Sequence, residues 1–107
     1  MEVTINARHC NVPDSLRNQA TQRINRLERQ HRRLTGGTIV FDVEREMRRA
    51  EARLAVAGGP PLISRGEGAT LRAAMDSALD RLERQLKRRR ERSVARRARD
   101  TRRLATS

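Results

Sequence analysis

Apolar and polar side chains alternate over the first eight residues, with Val3, Ile5 and Ala7 on one parity and Thr4 and Asn6 on the other. A period of two belongs to a strand with one buried face, so a first strand is predicted from Glu2 to Arg8. Pro13 and Asp14 read as a helix opening, because proline gives up no needed donor at the first helical position and an acid there meets the positive end of the helix dipole. Leu16, Ala20, Ile24, Leu27 and Leu34 recur at spacings of three, four or seven residues. They share one arc of a helical wheel and predict a helix to about Leu34, ended by Gly36-Gly37.

From Thr38 to Met47 the alternation returns, with Ile39, Phe41 and Val43 against Asp42, Glu44 and Glu46, and predicts a second strand. After a polar turn near Arg48 and Arg49, Ala52, Leu54 and Val56 mark a third strand that stops at Gly58-Gly59-Pro60-Pro61. Leu62 to Glu67 is a short fourth strand, and Thr70 is placed to cap the helix that follows. Leu71, Met75, Ala78, Leu79, Leu82 and Leu86 hold helical spacing until Lys87-Arg88-Arg89-Arg90, where the helix is expected to fray. The pattern predicts an α+β domain of order βαβββα over residues 1–92, a four-stranded sheet with two parallel helices packed on one face. Residues 93–107 lack a sustained apolar stripe and are expected to form a disordered basic tail.

Charge changes the picture most. Twenty-five basic residues against thirteen acidic ones give a net charge of +12, and all the basic residues but Lys87 are arginine. Such an excess points to a polyanionic partner. Phe41 is the only aromatic residue, so binding by stacking on exposed rings is excluded and affinity must come from charge and shape. On a wheel, Arg23, Arg26, Arg29 and Arg33 gather on one flank of the first helix. Arg81, Arg84, Arg88 and Arg92 gather on the flank of the same hand in the second, opposite Asp76, Asp80 and Glu83. With parallel helices, these flanks are expected to make one continuous positive surface. Simple solubility would intersperse the signs instead.

Catalytic chemistry finds little material. Cys10 has no partner for a disulfide and no spaced ligands for zinc, and neither metal nor cofactor is expected. His9, beside Cys10 on an extended segment, points to the opposite face; His31 falls on the apolar arc of the first helix. No nucleophile, base and orienting group come together, so no enzyme activity is expected. The glycine-containing turns lack phosphate-loop patterns. The first residues lack the basic and apolar regions of a secretory leader and no apolar run could span a bilayer, so a cytoplasmic protein without a membrane partner is expected.

Ala73-Ala74-Met75-Asp76 followed by Asp80-Arg81-Leu82-Glu83-Arg84-Gln85-Leu86 resembles the second helix of the ribosome hibernation-promoting factor and ribosome-associated inhibitor A family. Asn6-Ala7-Arg8-His9, Val12-Pro13-Asp14-Ser15-Leu16, Arg26-Leu27-Glu28 and Gly58-Gly59 extend the likeness over residues 1–92. The resemblance implies a domain that sits in the messenger channel of the small ribosomal subunit, bound to its ribosomal RNA and competing with mRNA and tRNA, without catalysis. The family's basic helix positions correspond to Arg23, Arg26, Arg29, Arg81, Arg84 and Arg88; Arg33, Lys87 and Arg89 complete the candidate RNA-binding set. Thr70 and Arg72 stand where the family usually has Asp and Tyr. The second domain of long members is absent, which implies a monomer off the ribosome. A general double-stranded-RNA-binding module is the alternative, and an acidic protein surface is a third class of partner.

Overall fold

The computed structural model describes the backbone of residues 1–106 and the side chains of residues 1–92 and 95–99. Its order is β1 (Glu2–Arg8), α1 (Asp14–Gln30), β2 (Leu34–Glu44), β3 (Met47–Val56), β4 (Leu62–Gly68) and α2 (Leu71–Thr106). The strands form one sheet in the order β1-β2-β3-β4, with β1 parallel to β2 and the other pairs antiparallel. β1, β2 and β4 therefore run one way and the helices that return from β1 and β4 run the other, parallel to each other. This is the βαβββα arrangement the periodicity predicts.

Both helices cover one face. From α1 come the buried residues Leu16, Ala20, Ile24 and Leu27, and from α2 come Ala74, Met75, Ala78, Leu79, Leu82 and Leu86. Beneath them Ile39, Phe41, Ala50, Ala52 and Leu54 complete the core. Register is set by size: Phe41 faces Ala50, Ile39 faces Ala52, and Gly37 faces Leu54, a large residue beside a small one at each step.

The first helix stops at Gln30, four residues before the expected Leu34. His31 already has extended backbone, and its N–H closes the helix on Leu27 and Glu28 carbonyls. Leu34 is seven residues from Leu27, so its burial suits a helix arc and a strand equally; the sheet takes it, opposite Val56. Gly37 is no cap either. A Cβ there would lie 2.8 Å from Ile24 Cγ2 and 3.3 Å from Leu54 Cδ2, so its glycine lets α1 settle onto β2.

The turn expected at Arg48 and Arg49 lies at Arg45 and Glu46, with Glu44 opposite Met47. Arg45 takes a left-handed φ of 58°. Arg48 and Arg49 are strand residues, opposite Val43 and Asp42. The second helix does not end near residue 90 but continues to Thr106. Thr70 caps it as expected, its Oγ1 accepting the Ala73 N–H at 3.0 Å. Of the expected basic tail, the side chains of Arg102 and Arg103 lie outside the described residues.

Small residues bring α2 unusually close to β4. A Cβ on Gly66 would run into the Ala74 carbonyl oxygen and lie 2.5 Å from the Ala78 nitrogen. The buried Ser64 Oγ–H donates to the Ala78 carbonyl at 2.5 Å, so the one buried polar side chain among the described residues is satisfied.

Candidate nucleic-acid interface

Two parallel helices lying side by side turn opposite flanks toward each other, so flanks of the same hand cannot meet. The consequence is visible at Arg23. Its guanidinium leaves the basic flank of α1 and meets the acidic flank of α2, at 3.1 Å from Asp76 Oδ1, 3.0 Å from Asp80 Oδ1 and 3.1 Å from Glu83 Oε1. Burial opposes its charge, but the hydrogen bonds to Asp80 and Glu83 outweigh that and hold Arg23 above its ordinary pKa. The expected continuous positive surface is thus divided, with one arginine and three acids along the middle of the helix layer.

The basic flank of α2 faces away from α1, over the free edge of β4. Arg81 Nη1 donates to the Arg65 carbonyl at 3.0 Å, Gln85 Nε2 to the Ile63 carbonyl at 3.1 Å, and Arg89 Nη1 to the Pro60 carbonyl at 2.6 Å. The spacing explains the first two contacts: four helical residues rise about 6 Å and two strand residues about 6.6 Å, so Arg81 and Gln85, four apart, meet carbonyls two apart, while Arg89 reaches the turn just before β4. An edge that could pair with another strand is covered in this way. Gln85 was not singled out by charge, though its position four residues after Arg81 was a usable signal.

The remaining candidates form a different set. Arg26, Arg29 and Arg33 on or just beyond α1 are exposed, as are Arg84, Lys87 and Arg88 on α2, and none has an acidic partner among the described residues. Arg29 and Arg33 lie at or just past the C-terminal end of α1, and Arg84, Lys87 and Arg88 lie midway along α2, beyond the acids at 76, 80 and 83. Positive charge therefore concentrates at one end of the helix layer.

The open face of the sheet is unlike it. Register sets Arg8, Asp42, Arg49 and Glu67 side by side across four strands, alternating in sign. Arg49 pairs with Glu44 and Glu67, Arg65 with Glu51, and His9 Nδ1 lies 3.3 Å from Asp42. Charges so balanced offer a polyanion no net attraction. Cys10 is half-buried and its thiol lies 3.7 Å from the Phe41 carbonyl. His31, expected on the apolar arc of α1, instead follows the helix and lines a groove with arginines; burial and then Arg90 hold its pKa below the ordinary value. No helix among the described residues is long and apolar enough to cross a membrane.

Comparison with known proteins places this geometry. The family model described as sigma 54 modulation protein / S30EA ribosomal protein matches residues 3–94. A ribosome hibernation promoting factor of Azotobacter vinelandii is 33% identical over 96 residues, spanning 90% of this chain and 89% of the relative. One from Pseudomonas putida is 31% identical over 91 residues, spanning 85% and 88%. Among solved structures, the N-terminal domain of Thermus thermophilus Protein Y superposes with a TM-score of 0.72 at 30% identity, covering 82% of this chain and 98% of that one. A ribosomal subunit interface protein from Coxiella burnetii superposes with a TM-score of 0.77 at 15% identity, covering 85% and 99%, which is a likeness of fold.

Proposed function

Because the chain belongs to the sigma 54 modulation protein / S30EA ribosomal protein family, we propose that it is a ribosome hibernation factor that binds the small subunit and inhibits translation under stress or in stationary phase. The observation that carries the proposal is the end of the helix layer where Arg26, Arg29, Arg84, Lys87 and Arg88 stand exposed without acidic partners. Exposed arginines spaced along two parallel helices suit the phosphates of folded ribosomal RNA, and each phosphate neutralised releases counterions. The binding site lies in the channel used by mRNA and tRNA, so the factor acts by occupancy, in the cytoplasm, and catalyses no reaction.

Arg81 spends a donor on a β4 carbonyl and Arg89 one on the Pro60 carbonyl before that strand, yet both keep others for RNA, since a guanidinium has five. Arg23 contributes by holding the helices in register. Sedimentation with purified small subunits tests the proposal: the protein moves with the particle, peptide synthesis falls, and prior filling with mRNA and initiator tRNA lowers occupancy. Binding undiminished by mRNA and tRNA would place it elsewhere, and equally tight binding to a plain RNA duplex would favour a general duplex-binding module.

A further inference from the structure

From Ser15 to Leu27 the first helix carries no acid. Of its two carboxylates, Asp14 sits in the first turn and Glu28 is taken up by the Met1 ammonium at 3.0 Å, on the flank away from Arg23. The outward surface is built from amides instead. Asn18, Gln22 and Asn25 follow one another at four and three residues and lead to Arg29, a stripe about 16 Å long on the side opposite Leu16, Ala20, Ile24 and Leu27. Asn18 and Gln22 are exposed and Asn25 is half-buried. None of the three side chains has a hydrogen-bond partner among the described residues. Asparagine is a weak helix former because its side chain competes for the backbone, and here two stand inside a helix with neither a cap nor a tertiary bond in return. A local rule broken without structural gain marks a surface kept for function. The second helix is the contrary: it has no Asn, its one Gln is spent on β4, and Asp80, Glu83 and Glu91 stand exposed among its cations.

Building on the ribosomal function proposed above, on which this inference rests, we propose that α1 reads ribosomal RNA through its amide stripe while the cations of α2 hold phosphates. Specificity and affinity then reside on different helices. Phosphate oxygens only accept hydrogen bonds, whereas a ribose 2′-hydroxyl both donates and accepts and a base edge offers donors beside acceptors; a side-chain amide matches either. Folded RNA displays both groups in a wide, shallow minor groove that a protruding helix face can enter. With no acid between Ser15 and Leu27, nothing on that stretch of α1 repels the backbone flanking those groups. Arg26 and Arg29 join the stripe to the phosphate-binding set.

Filter binding of purified small subunits over a series of salt concentrations separates the two roles, because a neutral amide displaces no counterion whereas each cation–phosphate contact does. N18A/Q22A/N25A puts stronger helix formers in the stripe, so the fold is expected to survive, and urea unfolding checks that it does. Its binding should weaken at least about tenfold at every salt concentration, with the slope of log affinity against log salt unchanged within about half a unit. R84Q/R88Q should instead flatten that slope by roughly one to two units. A DNA duplex, which has phosphates but no 2′-hydroxyl, should bind the parent and the amide variant alike and the arginine variant less. Small-subunit binding by N18A/Q22A/N25A within about twofold of the parent, a slope flattened as in R84Q/R88Q, or an equal loss on the DNA duplex would overturn the division of roles while the ribosomal function stands. A parent chain that fails to bind small subunits would overturn both.

Discussion

Arg23 Nη2 donates to Asp80 Oδ1 at 3.0 Å across the seam between the two helices. The acidic flank of α2 is thus the counterpart of one α1 arginine, and charge segregation along the sequence reports helix pairing as much as ligand binding. Arg23→Gln is expected to destabilise the domain by about 1 kcal/mol, a modest figure because the three acids are half-exposed. Arg26→Gln, with no acidic partner among the described residues, should change stability by less than about 0.5 kcal/mol. Urea unfolding compares the two. Equal midpoints would remove Arg23 from the account of the helix layer.

The approach of α2 to β4 depends on a missing side chain. Gly66→Ala puts a methyl group against the α2 backbone, where nothing flexible can move aside, and is expected to cost about 2–3 kcal/mol. Gly58→Ala, strained by its positive φ but otherwise in open space, should cost less. Thermal unfolding of the pair checks the order, and a Gly66→Ala protein as stable as the parent would contradict the packing described.

His31 gives stability a pH dependence of definite sign. Its folded pKa is below the ordinary 6.5, so protonation favours the unfolded chain; stability present above the unfolded value is lost as pH falls below about 6.5. Arg32, Arg33, Arg89 and Arg90 face the same groove, and all stay charged through this range. Between pH 7.5 and 5.5 the parent should lose more stability than His31→Gln. Parallel curves would show that the imidazole is not coupled to folding.

The sequence was most legible where one periodicity had one meaning. The alternation of β1 and the arcs Leu16-Ala20-Ile24-Leu27 and Met75-Ala78-Leu79-Leu82-Leu86 named the buried faces, which all face the core. Leu34 misled because a residue seven after Leu27 suits both a helix and the strand that follows it. The turn at Arg45-Glu46 was invisible because residues 44–49 are nearly all charged; only the pairing of Phe41 with Ala50 fixes where the chain reverses. The candidate arginines were found as a group, but their sorting needed the third dimension. Arg23 between helices, Arg81 on the β4 edge, Arg89 on the turn before it, and Arg26, Arg84 and Lys87 in solvent look alike along the chain.

Residues 95–99 of α2 present exposed side chains, so helix there is favoured by propensity more than by burial. We propose that residues 1–92 fold as the ribosome-binding domain and that residues 93–107 add affinity without choosing the site. Their deletion is expected to leave urea stability within about 0.5 kcal/mol. If about three tail arginines neutralise phosphates, it should also flatten the slope of log affinity against log salt by roughly two to three units. Hydroxyl-radical footprints on ribosomal RNA should coincide for the two lengths. An unchanged salt slope would remove the tail from the affinity.

The central claim is that arginines without acidic partners on both helices bind the small subunit. Filter binding of purified small subunits to the parent, Arg23→Gln and the double variant Arg26→Glu/Arg84→Glu tests it most directly, with circular dichroism confirming native helix content in each. Charge reversal at two contacts should weaken binding by at least about a hundredfold, while Arg23→Gln binds within a few-fold of the parent. Full-strength binding by Arg26→Glu/Arg84→Glu would contradict the account.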